Sequence, residues 1–175
     1  VNGPGDHCFP QLIDALENNK HYELIKNLIY NASGKIVKSP KADLIEQDDL
    51  PSLPYDKLTS FYSMDKYLGK TYLGELTLAY HSSIGCPFTC SFCAVVPTYE
   101  ARWKAKSAQH VYNDIKYIKD KWGADAIEFH DNNFFVSSAE SVNEFRIFFR
   151  MLLSYCGEVF CSVLKSCRIF SNSSG

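Results

Sequence analysis

The chain has 175 residues, 46% of them hydrophobic and 22% charged, a globular composition that excludes wholesale disorder. Its net charge of −2 gives no basic footprint for nucleic acid, and no apolar run approaches the ~20 residues that a membrane helix needs. Seven cysteines is an odd number and three of them crowd into one stretch, so reduced thiols in a cytoplasmic setting are expected rather than a disulfide framework.

Residues 1–37 are expected to end one domain. Asn2-Gly3-Pro4-Gly5-Asp6 is turn chemistry, and without a G-x-G-x-x-G pattern it reads as a turn ahead of a phosphate site. Pro10 suits a first helical turn. Leu12, Ile13 and Leu16 recur at helical spacing, and Asn18-Asn19 ends the helix. A second apolar segment from Leu24 to Tyr30 turns at Asn31-Ala32-Ser33-Gly34 and returns through Lys35-Ile36-Val37 as a hairpin.

Residues 38–70 read as a linker. Pro40, Pro51 and Pro54 break regular structure. Asp43, Glu46, Asp48 and Asp49 make the stretch acidic without the spacing of a calcium loop. Leu50, Leu53 and Tyr55 would pin an extended segment against a neighbouring domain.

The pattern sharpens over residues 71–175. Alternation from Leu73 to Tyr80 predicts a strand of about seven residues, which His81 to Gly85 carry into a cysteine-rich loop. Arg102, Trp103 and Lys104 read as a surface basic patch, with contact to a substrate anion as the alternative. Ser107 is a good N-cap. Val111, Ile115, Ile118 and Trp122 line one helix face, and Gly123 closes the helix. Ala126 to Phe129 is a second strand. Ser137 with Glu140 forms a capping box for a helix through Val142, Phe145, Phe149 and Leu152, and Val159, Cys161 and Val163 alternate as a third strand. The order β-loop-α-β-loop-α-β predicts a parallel sheet whose ligands gather at the C-terminal strand ends. The cysteine loop and His130-Asp131-Asn132-Asn133 both follow such ends.

The chemistry is concentrated in Cys86-Pro87-Phe88-Thr89-Cys90-Ser91-Phe92-Cys93, a C-x3-C-x2-C run. Three thiolates on one loop suit three irons of a cubane cluster and leave the fourth open to a small molecule. A zinc site is the alternative, with His81 as a fourth ligand. Cys8, Cys156, Cys161 and Cys167 read as core cysteines, and His130 as a hydrogen-bonded strand-end histidine. Asp131, Asn132 and Asn133 read equally as a turn or as polar ligands.

The motif of Cys86, Cys90, Phe92 and Cys93, on a loop after a strand, resembles that of the radical S-adenosylmethionine (radical SAM) superfamily. The resemblance implies the N-terminal portion of a partial (β/α) barrel. It also implies a [4Fe–4S] cluster on Cys86, Cys90 and Cys93 whose open iron binds the amino and carboxylate groups of S-adenosylmethionine. An electron, from a donor such as flavodoxin or ferredoxin, would then cleave that cofactor reductively to a 5′-deoxyadenosyl radical. It places Phe92 near the adenine, and Asp131, Asn132 and Asn133 near the methionine ammonium, although His-Asp-Asn-Asn lacks the glycines usual there. Gly34-Lys35-Ile36-Val37 and Asp48 to Asp56 look like the segment joining a Rossmann-like cobalamin-binding domain to the radical SAM domain in the cobalamin-associated branch. The resemblance covers most of residues 1–155, most closely 74–136. The Asp-x-His-x-x-Gly cobalamin motif is not in this sequence.

The expected activity is radical catalysis on a small-molecule substrate, with cobalamin-dependent methyl transfer as one form of it. Rearrangement or cyclisation without methyl transfer is the alternative within the enzyme class. A non-catalytic iron–sulfur or zinc module is the alternative outside it. The start at Val1 and a sheet edge left open after the third strand give the expectation of a piece of a longer protein, inactive or poorly folded alone.

Overall fold

The structure, a computed structural model, describes residues 2–134 together with Asn143, Arg146, Ile147 and Arg150. Of the predicted helix through Val142 and Leu152, Asn143, Arg146, Ile147 and Arg150 are described and are helical; the capping box at Ser137, the strand at Val159 and the cysteines at 156, 161 and 167 lie outside the described residues. In chain order the elements are α1 (Cys8–Glu17), β1 (Ile29–Ala32), β2 (Lys35–Lys38), α2 (Tyr55–Leu58), β3 (Thr77–Tyr80), β4 (Ser83–Gly85), α3 (Val95–Tyr99), β5 (Trp103–Ala105), α4 (Ala108–Trp122) and β6 (Ala126–Phe129). Short 3-10 turns add Gln47–Asp49 and Met64–Lys66. The chain divides into two compact units, one made of residues up to Leu50 with Ser83–Ala105, the other of Pro51–Ser82 with residues from Lys106 on.

In the first unit, α1 carries Pro10 in its opening turn and ends at Asn18, as its pattern predicts. The hairpin also forms: β1 and β2 pair antiparallel, with Ala32 opposite Lys35. Ser33 and Gly34 both take positive φ, 51° and 89°, the two-residue turn whose twist matches the flanking strands. Asn27 ties the rest of this unit together. It is 4% exposed and left-handed, at φ 62°, a conformation that asparagine tolerates better than most residues. Its backbone N–H donates to Pro40 O at 2.9 Å and its carbonyl accepts from Asn2 N at 2.7 Å. Its side-chain Oδ1 accepts from Ala42 N at 2.8 Å and its Nδ2 donates to Pro4 O at 3.3 Å. One residue, through its side chain and both of its backbone polar groups, thus joins residues 2–4 to residues 40–42.

The second unit is a parallel β-α-β motif. β3 and β6 pair in parallel with Tyr80 opposite Phe129, and α4 connects back toward β6. Ser107 caps α4 by accepting from His110 N at 3.2 Å. Gly123 ends the helix at φ 72°. Val111, Ile115 and Ile118 are buried on the predicted face against Leu78, Tyr80 and Ile127. The stretch read as a linker contributes more than expected. Tyr55, Met64 and Leu68 belong to this core, because short helical turns rather than an extended strand carry them inward. Asp56 accepts from Tyr117 Oη at 2.7 Å and pairs with Lys121. That lysine, together with the tyrosine hydroxyl, holds the Asp56 carboxyl below its ordinary range.

Replacing Asn27 with alanine leaves Ala42 N and Pro4 O without their partner. Urea denaturation is expected to show a loss of about 1–3 kcal/mol, from two part-buried polar groups left without their partner and from alanine in a left-handed backbone.

Candidate functional site

The cysteine stretch is not a continuation of the preceding strand. The predicted strand of about seven residues ends at Tyr80 after four. At His81–Ser82 the backbone changes partner, and β4 pairs antiparallel with β5, Ser83 opposite Ala105 and Gly85 opposite Trp103. Residues 86–102 therefore form a lobe closed at its base by two strands. Cys86 N donates to Arg102 O at 3.1 Å. Gly85 stands at φ 81°, and a Cβ there would collide with the same Arg102 carbonyl.

Within the lobe, Cys93 N donates to Cys90 O at 3.1 Å and Val96 N to Cys93 O at 3.3 Å, leading into α3. None of Cys86, Cys90 and Cys93 is in a disulfide, and all three keep access to solvent. Phe92 is 91% exposed and Phe88 55% exposed, so two aromatic rings stand out among the thiols. No three His, Cys, Asp or Glu side chains among the described residues converge on a single-ion position. A cubane cluster makes a different demand, since each thiolate binds its own iron. The donor set of three thiols on one lobe fits that group.

Arg102, Trp103 and Lys104 correct the reading of a surface basic patch. Trp103 and Lys104 belong to β5. Arg102 donates from Nε to Tyr99 O at 2.8 Å and from Nη1 to Ala42 O at 2.7 Å, so its charge is spent on backbone carbonyls inside the unit.

The second unit brings the other predicted polar residues to the C-terminal ends of β3 and β6. His130 N donates to Tyr80 O at 2.9 Å, and the His130 ring lies 6.1 Å from that of His81. His130 Nε2 is 3.3 Å from Glu128 Oε2, the hydrogen-bonded strand-end role expected of it. Asp131 is half-buried, and its Oδ1 accepts from Ser82 Oγ at 3.0 Å. Asn132 is exposed and Asn133 half-buried.

Beneath this edge lies a buried polar group that the sequence reading did not single out. Asp114 Oδ2 accepts from Tyr80 Oη at 2.6 Å and from Lys106 Nζ at 3.0 Å. Lys106 Nζ is also 2.8 Å from Tyr80 Oη, and His110 Nε2 is 3.5 Å from the same carboxylate oxygen. Tyr80 is 1% exposed and Asp114 7%. A charge on the apolar face shared with Val111, Ile115 and Ile118 was the signal available. A buried carboxylate is stable only when paired and hydrogen-bonded. Burial first, and then the hydrogen bond to the negatively charged Asp114, push the Tyr80 phenol far above its ordinary value.

Two predictions follow from these geometries. Gly85→Ala is expected to destabilise the protein by about 2 kcal/mol or more, from the left-handed backbone and the collision together, as read by chemical denaturation. Because the folded protein keeps the Tyr80 proton while the unfolded chain ionises near pH 10, stability is full below that pH and falls as pH rises above it. Denaturation midpoints from pH 9 upward are expected to decline less steeply in Tyr80→Phe.

No protein-family model matches the chain. An uncharacterized methyltransferase of Pyrococcus horikoshii is 30% identical over 144 residues, covering 82% of this chain and 30% of that protein. Among solved structures, the cobalamin-dependent S-adenosylmethionine radical enzyme OxsB, with aqua-cobalamin and S-adenosylmethionine bound, superposes with a TM-score of 0.66 at 18% identity. The match covers 86% of this chain and 20% of that one. The radical S-adenosylmethionine methyltransferase TsrM from Kitasatospora setae, with cobalamin and a [4Fe-4S] cluster bound, gives a TM-score of 0.60 at 19% identity over 88% of this chain and 30% of that one. The chain thus spans less than a third of the length of each of these proteins. In motif and in fold, it resembles part of the cobalamin-associated branch of the radical S-adenosylmethionine enzymes.

Proposed function

We propose that the protein is a radical SAM enzyme and that its reaction is cobalamin-dependent methyl transfer to a small-molecule substrate. The observation that carries this reading is the closed lobe of residues 86–102, which presents three thiols, none in a disulfide, in a chain of this fold. In the finer architecture we propose, residues 1–37 end a Rossmann-like cobalamin-binding domain and residues 38–70 link it onward. Residues 71–175 then begin the partial (β/α) barrel.

Cys86, Cys90 and Cys93 hold the [4Fe–4S] cluster in this reading. Once bound, and reduced by a donor such as flavodoxin or ferredoxin, the cluster would supply the electron for reductive cleavage of S-adenosylmethionine. The protein's own residues bind and orient. Asp131 offers a carboxylate to the methionine ammonium, a charge-assisted contact, and Ser82 fixes one of its oxygens. Asn132 and Asn133 add amide donors and acceptors. Phe92, exposed on the lobe, would lie close to the adenine. The chain lacks the Asp-x-His-x-x-Gly motif, and none of its described residues is assigned to cobalamin.

Anaerobic reconstitution with iron and sulfide, followed by electron paramagnetic resonance, tests the reading. A reduced [4Fe–4S] signal that changes on adding S-adenosylmethionine is expected. Single alanine substitutions at Cys86, Cys90 or Cys93 are expected to abolish it. Asp131→Ala is expected to keep the cluster and weaken S-adenosylmethionine binding about tenfold or more, the loss of a charge-assisted contact. A signal indifferent to the cofactor would point instead to an electron-transfer module, and tight zinc binding without a cluster to a structural site.

A further inference from the structure

We propose that Lys41 is a positioning residue for the cysteine lobe. It lies in the stretch that composition marks as a linker, far from the cysteines in sequence. Its side chain is 16% exposed. Lys41 Nζ donates to Pro97 O at 2.5 Å and to Thr98 O at 3.3 Å, and it pairs with Glu100 Oε1 at 2.9 Å. These partners are the end of α3, the helix that begins two residues after Cys93.

Helix α3 has five residues and is too short to persist on its own. Its last carbonyls have no partner within the helix. Lys41 takes two of them and Arg102 Nε takes a third, that of Tyr99. Both residues place positive charge where the helix dipole is negative. The backbone then leaves the helix through two left-handed residues, Glu100 at φ 55° and Ala101 at φ 57°, a turn that costs energy unless its surroundings hold it.

Lys41 is itself fixed. Asn27 bonds to Pro40 O on one side and Ala42 N on the other, and Arg102 Nη1 bonds to Ala42 O. Residues 40–42 therefore form a strap, anchored by a buried asparagine, whose one long side chain reaches across to the far end of the lobe. The lobe is fastened first at its base, beside Cys86, by β4 with β5 and by Arg102 on Ala42 O, and second at the exit from Cys93 by Lys41. Loss of the second frees carbonyls at the end of α3 and the Glu100 carboxylate together, and Cys93 loses the turn on which it is seated. The assignment of the lobe to a cluster rests on the proposed function; the positioning of its thiols by Lys41 does not.

Lys41→Met keeps the stem and removes the charge and donors, whereas Lys41→Arg keeps both. Hydrogen exchange of the metal-free protein is the primary readout. In Lys41→Met the amides of residues 86–100 are expected to exchange about tenfold faster, with those of β1, β2 and α4 unchanged. Alkylation of Cys86 and Cys93 by iodoacetamide is expected to rise about threefold as the thiols gain access. Lys41→Arg is expected to return both readouts to within about twofold of the original. Iron incorporated per chain on reconstitution is expected to fall by about half or more in Lys41→Met. Unchanged exchange over residues 86–100, acceleration spread equally through β1, β2 and α4, or failure of arginine to rescue would each overturn the proposal. A wild-type protein that takes up no cluster would count against the proposed function, and exchange and alkylation would still decide the role of Lys41.

Discussion

The backbone pairing of Ser83–Gly85 with Trp103–Ala105 is what closes the cysteine run into a lobe. Three thiols on an open loop would sample many separations, and loop entropy would oppose any arrangement that a metal cluster requires. The short strands close that loop. The closure puts Gly85 against the Arg102 carbonyl, so the turn into Cys86 requires a residue with no Cβ. The same carbonyl accepts from Cys86 N. One peptide of Arg102 therefore sets the start of the lobe, while its side chain is bonded to Tyr99 and Ala42 within the same unit.

The second unit solves a different problem, how to hold polar groups at a strand edge above an apolar core. Parallel pairing of β3 with β6 brings His81 and Ser82 beside His130 and Asp131. Directly below, Tyr80, Lys106 and Asp114 bond to one another away from solvent. Such a group adds little net stability compared with apolar packing, but breaking any one partner is costly, so it favours one arrangement of the strand end over others. The cation of Lys106 also lies 4.5 Å from the centroid of the Tyr80 ring, a further constraint on the same side chain.

Much was legible in the sequence because local chemistry decides it. The α1 boundaries follow from Pro10 and Asn18, the hairpin turn from Ser33-Gly34, and α4 from Ser107, its apolar stripe and Gly123. Each signal acts within a few residues, so no long-range contact is needed to read it. The cysteine spacing belongs to the same kind, since three ligands in eight residues must share a loop however the rest folds. Where the signals were short or mixed, tertiary contacts chose. Val95–Tyr99 contains a proline and two β-branched valines, and its helix depends on Lys41 and Arg102 taking its end carbonyls. Arg102 to Lys104 resembles a solvated basic run until β4 supplies a strand to pair with. The same holds for Tyr55, Met64 and Leu68, apolar residues scattered among prolines and charges whose burial only the core of the second unit reveals.

The sequence by itself determined that three thiols share one loop, where α1, the hairpin and α4 form, and that polar residues follow the end of β6. Spacing, caps and periodicity carry that information locally. Only the tertiary structure decided how the cysteine lobe is closed, that Lys41 and Asn27 brace it from a distant segment, and that Asp114 is buried against Tyr80 and Lys106. These depend on residues far apart in the chain meeting with hydrogen-bonding geometry. Composition and period describe each residue's neighbours along the chain and contain no record of such meetings.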